Sequence, residues 1–168
     1  MLAAKTAEAE RLLTGLIRQR RIEKTYLCVT FGRPQPPTAT LGGWLLKDSA
    51  RGRVKIVSSA QPGAKPVETR YRTRAASGRL ALLEVELVTG RTHQIRAHLA
   101  GIGCPILGDS KYGSNAANRE LRFKYQALCA WRLRFPKLSG PALAGLSGRT
   151  FYAPEPWYCA QLLEGRVR

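Results

Sequence analysis

Five side chains able to bind an anion or to carry a proton fall within one short segment of the sequence. They are Arg91, His93, Gln94, Arg96 and His98. In the same segment Ile95 and Leu99 are four residues apart, a spacing that predicts a helix with one apolar face on the core. Arg96 lies one step around that helix from Ile95. A guanidinium so close to a buried face is costly unless it pairs with a carboxylate or a phosphate.

The same segment has simpler interpretations. Arg91 and Arg96 could be solvated charges on a helix, and the pattern does not decide between this and an anion site. His93 and His98 are five residues apart, which does not bring both rings to one helical face. A metal site is therefore disfavoured, and we interpret both as ordinary polar residues. If Thr92 caps the helix, the free backbone N–H groups at its start would suit a phosphate beside Arg91.

A second cluster, residues 18–26, leads from basic residues into a segment with the alternating pattern of a strand, and it includes Lys24 and Tyr26. Cations can hold phosphates and an aromatic ring can stack on a base, so this cluster is typical of a nucleic-acid-binding surface. A tyrosine half-buried in a sheet is the simpler interpretation of Tyr26, and the pattern alone favours it. The sequence contains neither a Gly-x-Ser-x-Gly nucleophile motif nor a glycine-rich phosphate loop.

Composition restricts the class of protein. The 168 residues suit a single domain, residues 1–168, and no apolar run approaches the length of a membrane span. Lysine and arginine number 28 against 11 acidic residues, a formal net charge of +17, which predicts a polyanionic partner. Nucleic acid is the first choice and an anionic membrane surface the second. The four cysteines are scattered and no secretory signal is visible, so we expect reduced thiols and a cytoplasmic location.

Periodicity predicts the elements that must position these residues. Helical spacing occurs over residues 6–21, 93–100 and 157–163, with a loop and one helical turn over residues 115–125. Strand patterns occur over residues 25–31, 40–46, 53–57, 67–74, 80–88, 128–135 and 149–152. The strands at 67–74 and 80–88 alternate as an antiparallel pair with one wet face, where opposite charges could pair. This order predicts an α+β fold, with a mixed, largely antiparallel sheet flanked by short helices.

Several segments carry a specific sequence motif. Residues 89–100, TGRTHQIRAHLA, are followed by GCPILGD at 103–109 and KYG at 111–113. This combination resembles the signature of the RluA-type pseudouridine synthases. Residues 23–27 resemble the family's Lys-x-Tyr strand, and residues 127–136 resemble a late strand that more often carries histidine where this chain has Cys129. Residues 2–6 resemble the end of the strand after the family's active-site loop, so the resemblance extends over essentially the whole chain.

The resemblance implies a pseudouridine synthase fold and the isomerisation of uridine to pseudouridine in structured RNA, with no metal or organic cofactor. Ribosomal RNA is the expected substrate, and transfer RNA is the alternative. By motif, Tyr26 would stack on the flipped target base and assist proton removal, Arg96 would pair with the catalytic aspartate, and Leu128 would line the base pocket. The residues that the resemblance places nearby, to hold RNA or the loop, are Lys24, Arg91, His93 and Gln94.

One motif of the family does not occur in this sequence. The family's catalytic aspartate lies in a His-Arg-Leu-Asp loop, whereas the aspartates here are Asp48 and Asp109, and the resemblance gives neither of them that role. We therefore expect an amino-terminally truncated catalytic domain, either a fragment or a gene product begun at an internal methionine, that is monomeric and inactive by itself. The alternatives are a naturally shortened, non-catalytic RNA-binding module and a basic domain on a membrane surface.

Overall fold

The first helix begins where a threonine supplies its cap. In the computed structural model, which describes residues 2–166, α1 spans Ala7–Arg18, and the Thr6 hydroxyl accepts a hydrogen bond from the Ala9 N–H at 3.2 Å. Leu13 and Leu16, which are three positions apart on the predicted apolar side, are the buried residues of this helix. They pack with residues that follow the sixth strand, so α1 covers one end of the sheet.

Seven strands form one sheet. They are β1 (Glu23–Phe31), β2 (Thr38–Asp48), β3 (Arg53–Val57), β4 (Lys65–Ser77), β5 (Leu80–Leu87), β6 (Leu128–Arg134) and β7 (Thr150–Tyr152). Their spatial order is β3-β2-β4-β5-β1-β6-β7, and every strand pairing within residues 2–166 is antiparallel. The expected mixed sheet is thus corrected to an antiparallel one. Short turns join β2 to β3 and β4 to β5, and such hairpins can only produce antiparallel neighbours.

Helices pack on both faces of the sheet. They are α2 (Gln94–Gly101), α3 (Asn115–Glu120) and α4 (Trp157–Leu163), with a 3₁₀ helix at Pro141–Leu146. Because successive strand residues point to opposite faces, Cys28 of β1 packs with Ile95 and Leu99 of α2, whereas Leu27 packs with Leu162 of α4. The α+β prediction is confirmed, and α2, which carries the polar segment, lies against one defined face.

The wet face predicted for β4 and β5 carries ion pairs between the strands. Arg72 Nη2 lies 2.8 Å from Glu84 Oε2, and Arg70 Nη1 lies 3.8 Å from Glu86 Oε1. Both are cross-strand neighbours in the register of the sheet. The arginines of these pairs are exposed, so each pair contributes little to stability but neutralises an acidic residue.

None of the helices within residues 2–166 is long and apolar enough to cross a bilayer.

Candidate active site

Arg96 is buried, and the carboxylate that it meets belongs to this same chain. Its Nε and Nη2 donate to Asp109 Oδ2 and Oδ1 at 2.7 and 2.8 Å, and the two side chains are 10% and 0% exposed. The pairing of this near-core arginine with a carboxylate confirms the argument from the helical pattern. The partner differs from the aspartate that the resemblance implies, because the Gly-Asp turn folds back against α2. Among residues 2–166 we find no partner for Arg96 Nη1.

Asp109 is fully committed to hydrogen bonds inside the protein. Besides Arg96, its Oδ1 accepts from the N–H groups of Lys111 and Tyr112 at 2.9 and 3.1 Å. Burial raises the pKa of this carboxyl, but the hydrogen bonds from Arg96 and the two backbone N–H groups, together with the charge of Arg96, lower it more. The net pKa is below its ordinary value, so Asp109 is an ionised, enclosed anchor for Arg96.

Tyr112 joins three elements at this point, and its role was not predicted from the sequence. Its hydroxyl accepts the Val54 N–H of β3 at 2.8 Å and lies 3.1 Å from His93 Nδ1. The Arg96 guanidinium carbon is 5.0 Å from the centre of the Tyr112 ring, on its face, which adds a cation–π contact. The Lys-Tyr-Gly run that follows the Gly-Asp turn was the available signal for this tyrosine.

His93, rather than Thr92, is the N-cap residue of α2. Its φ of 56° is left-handed, and its side chain makes no capping hydrogen bond, so the predicted Thr92 cap is wrong. The backbone there is held instead by hydrogen bonds of the Gln94 side chain. Burial lowers the pKa of His93, as do the charges of Arg96 and Lys111, against a smaller opposing effect of Asp109. The imidazole is therefore neutral at pH 7, as its contact with the Tyr112 hydroxyl permits.

Gln94 holds the loop before α2. It is 1% exposed, its Oε1 accepts from the Thr89 hydroxyl and the Arg91 N–H at 2.8 and 3.1 Å, and its Nε2 donates to Glu68 O and Thr69 Oγ1, both at 2.9 Å. These four bonds use both donors and two acceptor sites of the amide. Of the two roles that the resemblance allows, holding RNA or holding the loop, the geometry supports the second for Gln94. The Arg91 side chain is exposed.

The second histidine of the segment has a partner of its own. His98 is 3% exposed, with Nδ1 2.7 Å from Thr69 Oγ1, and its Nε2 has no partner among residues 2–166. Burial lowers the pKa of this imidazole, which therefore stays neutral. Since His93 contacts Tyr112 and His98 contacts Thr69, the two rings occupy separate surroundings, as their spacing predicts.

Tyr26 lies in the middle of the sheet, on the face that carries α2. It is half-buried, opposite Val85 of β5 on one side and Ala130 of β6 on the other. Tyr26 and Leu128 both pack against the apolar cluster that includes Ile95, so the structure brings these two predicted residues together beside α2. Burial raises the pKa of Tyr26, and its hydroxyl keeps its proton at neutral pH.

Lys24 projects from the same face as Tyr26, two residues earlier in β1. A Cβ atom placed on Gly90 would lie 3.5 Å from Lys24 Nζ, so the ammonium group reaches the loop between β5 and α2. Burial, followed by the charge of Arg20, lowers the pKa of Lys24. The predicted residues thus form two groups around α2: Lys24, Tyr26 and Leu128 on the sheet, and Arg91, His93, Gln94 and Arg96 at the helix.

Comparisons with known proteins identify the family. The model of the RNA pseudouridylate synthase family matches residues 1–101. The chain belongs to that family. An uncharacterised RNA pseudouridine synthase of Chloroflexus aurantiacus is 38% identical over 121 residues, which cover 72% of this chain and 37% of the relative. Ribosomal large subunit pseudouridine synthase C of Escherichia coli K12 is 36% identical over 121 residues, 72% of this chain and 38% of the relative.

These pseudouridine synthase relatives confirm the RluA-type resemblance. The matched part of the chain spans less than half the length of each of these two relatives. The solved structure of human RNA pseudouridylate synthase domain containing 4 superposes with a TM-score of 0.74, covering 97% of this chain and 69% of that one at 23% identity. That likeness confirms the fold over almost the whole chain, including the part beyond the family match.

Proposed function

We propose that residues 1–168 form the uridine-binding part of an RNA pseudouridine synthase that modifies large-subunit ribosomal RNA. We further propose that they do not isomerise uridine by themselves. The observation that carries this proposal is the state of Arg96. Asp109 fixes its guanidinium through Nε and Nη2, and Nη1, which has no partner among residues 2–166, is available to a second carboxylate. Such an arrangement suits an arginine that orients a catalytic aspartate presented by another segment.

Tyr26 is proposed to stack on the target base. Its ring lies half-buried beside Leu128, on an apolar surface next to α2, and a flat uracil ring flipped from its stack would fit against such a surface. Because burial raises the pKa of Tyr26, the neutral phenol is the dominant form at pH 7. This favours the stacking role over direct proton removal by a phenolate.

Neither aspartate of this chain is placed to start the reaction. Asp109 is 0% exposed and its carboxylate accepts four hydrogen bonds. Asp48 belongs to the β2–β3 hairpin, where its Oδ1 accepts the Arg51 N–H at 3.1 Å and closes the turn. We therefore attribute the missing nucleophile to a His-Arg-Leu-Asp segment outside residues 1–168.

The substrate proposal follows from the names of relatives and from charge. A relative 36% identical to the chain is a ribosomal large subunit enzyme, and the net charge of +17 suits a structured RNA. Transfer RNA is the second candidate substrate. We also retain the predictions of a monomer and of a cytoplasmic location, which sedimentation and cell fractionation would test.

The test compares the 168-residue chain with a fusion that adds an amino-terminal segment carrying a His-Arg-Leu-Asp sequence. Pseudouridine is measured by mass spectrometry in large-subunit ribosomal RNA and in transfer RNA. We expect no product with the chain alone, product with the fusion, and none when the aspartate of the added segment is replaced by asparagine. Robust turnover by the chain alone would overturn the assignment of the nucleophile.

A non-catalytic RNA-binding module is the second candidate function. It is favoured by the absence of a His-Arg-Leu-Asp sequence together with many cations that form no ion pair within residues 2–166. In that case the fusion would stay inert while the chain binds RNA with a steep salt dependence. Binding to anionic vesicles without RNA binding would instead support a membrane-surface domain.

A further inference from the structure

A basic surface lies at the β2–β3 hairpin, and it is lined by neither Tyr26 nor Leu128. A cleft of about 380 Å³ opens between the β2–β3 hairpin, the start of β4 and the loop that precedes α2, and we call it the hairpin cleft. Its charged lining residues are Lys47, Arg53, Lys65 and Arg91, with His93 at one end. Among residues 2–166, no aspartate or glutamate contributes to the lining. Four cations from four different segments therefore face one cavity without a local counter-charge.

Most acidic residues are used elsewhere. The arginines that form ion pairs within residues 2–166 are Arg70, Arg72, Arg74, Arg79, Arg96, Arg132, Arg134 and Arg166. None of the four cleft cations is among them, and all four are exposed. Asp48, beside Lys47 in sequence, is turned to the Arg51 N–H. The positive potential of the molecule is thus concentrated at places such as the hairpin cleft, where carboxylates do not cancel it.

The hairpin cleft is connected to the candidate active site through Tyr112. The Arg53 guanidinium carbon lies 6.0 Å from the centre of the Tyr112 ring, and that of Arg96 lies 5.0 Å from the same ring. The loop with Arg91 and His93 forms one wall of the cleft and leads directly into α2. An extended polyanion lying in the cleft would therefore continue toward Arg96.

The chemistry of the lining points to phosphates rather than bases. Within residues 2–166, the lining includes exposed ammonium and guanidinium groups but no tryptophan, tyrosine or phenylalanine on which a base could stack. The imidazole of His93 is held in contact with Tyr112. We propose that the hairpin cleft binds the sugar–phosphate backbone of the substrate RNA beside the target nucleotide. This proposal rests on the proposed function for the identity of the polyanion. It assigns to Lys47, Arg53, Lys65 and Arg91 a sequence-independent role that sets the register of the RNA strand.

The test measures RNA binding by the 168-residue chain. Binding is detected by the fluorescence anisotropy of a labelled ribosomal RNA stem–loop at several salt concentrations. The variant Lys47→Ala/Lys65→Ala removes two cations of the hairpin cleft. The matched control, Arg51→Ala/Lys55→Ala, removes two exposed cations of the same hairpin that do not line the cleft. Both variants change the net charge equally, so a general charge effect cancels in the comparison.

We expect the cleft variant to weaken binding about tenfold or more at 100 mM salt and to reduce the salt slope by about 1.4–1.8, as for two lost phosphate contacts. The control should change affinity less than about twofold, in line with exposed charges away from the contact. The loss should be equal for uridine-rich and adenosine-rich loops, because the bases are not contacted. Circular dichroism on heating checks that both variants stay folded.

The outcomes separate this proposal from the proposed function. Equal losses of RNA affinity in the cleft variant and the control would contradict RNA binding by the hairpin cleft but would not affect the proposed synthase function. A selective loss in the cleft variant, together with an inert fusion enzyme, would support the cleft and overturn the catalytic proposal. Full displacement of RNA by millimolar inorganic phosphate would reduce the cleft to a simple anion site and overturn backbone recognition. An absence of RNA binding would overturn both.

Discussion

The Tyr112 hydroxyl lies 3.1 Å from His93 Nδ1, and the same oxygen accepts the Val54 N–H at 2.8 Å. The oxygen accepts from Val54, and which of Tyr112 and His93 donates in their contact depends on the tautomer of the imidazole. One hydroxyl therefore ties the β2–β3 hairpin to the start of α2. The hairpin cleft and the Arg96–Asp109 pair lie on the two sides of this link.

Removing that hydroxyl should loosen the hairpin. We expect Tyr112→Phe to lower the free energy of unfolding by about 1–2 kcal/mol, because the Val54 N–H, on a buried residue, loses its acceptor. Urea unfolding measures the loss. Tyr125→Phe is the matched control, since this tyrosine is 76% exposed, and it should change stability by less than about 0.5 kcal/mol. Equal effects of the two substitutions on the free energy of unfolding would show that the Tyr112 hydroxyl does not stabilise the fold.

Local patterns predicted most elements but not the contacts between them. The alternation in β4 and β5 was sufficient to predict an antiparallel pair with charges on one face, since period and charge are properties of each strand itself. The partner of Arg96 could not be predicted in this way. The helical pattern required an anion there, but the choice of Asp109 depends on a turn thirteen residues later folding back onto α2, which no local pattern encodes.

The N-cap of α2 is a second feature that local sequence patterns did not predict. Thr92 has the right residue type and position for a cap, yet the helix begins after a left-handed His93. The reason lies in tertiary contacts: Gln94 draws the Arg91 N–H to its own side-chain oxygen and donates to Glu68 of β4. Gln94, which the sequence suggested as a contact for RNA or for the loop, thus determines how α2 begins. Sequence propensity alone would give that role to Thr92.

The Arg96–Asp109 pair should behave as a coupled buried pair. We expect Asp109→Asn to destabilise the chain by about 3–5 kcal/mol, because it leaves the buried guanidinium without its counter-charge. Adding Arg96→Met to this variant should recover part of the loss, and a double-mutant cycle by urea unfolding measures the coupling. The exposed pair of Arg72 and Glu84 serves as the control, where Arg72→Ala should cost less than about 1 kcal/mol. Simple additivity of the two buried substitutions would contradict this account.

Gly108 should be intolerant of any side chain, because a Cβ there would lie 2.0 Å from the Tyr125 carbonyl oxygen. Gly103 offers a matched control: its φ is +74° against +78° for Gly108, and a Cβ there meets nothing within 4 Å. We expect Gly103→Ala to cost about 1–2 kcal/mol for the left-handed backbone alone. Gly108→Ala should cost a further 1–3 kcal/mol, roughly, or prevent folding, since the turn that presents Asp109 must move. Similar unfolding midpoints for the two variants would exclude the clash.

Stability should decrease as the pH falls below 6.5, the ordinary pKa of histidine. Burial lowers the pKa of His98 in the folded chain, and also that of His93, so the unfolded state binds more protons as the medium is acidified. The stabilisation is therefore complete above pH 6.5 and is lost as the pH falls toward the folded-state pKa values. The carboxyl of Asp109, whose pKa is lowered from 3.8, adds a loss only at more acidic pH.

Urea unfolding between pH 7.5 and pH 5 isolates the histidines from Asp109. His98→Gln keeps a polar group near Thr69 but cannot be protonated in this range, so it should flatten the pH dependence and leave only the part due to His93. Stability that stays constant or rises toward pH 5 in the unaltered chain would contradict the assignment of neutral, buried imidazoles. If His98→Gln leaves the pH dependence of stability unchanged, the whole dependence comes from His93 and its contact with Tyr112.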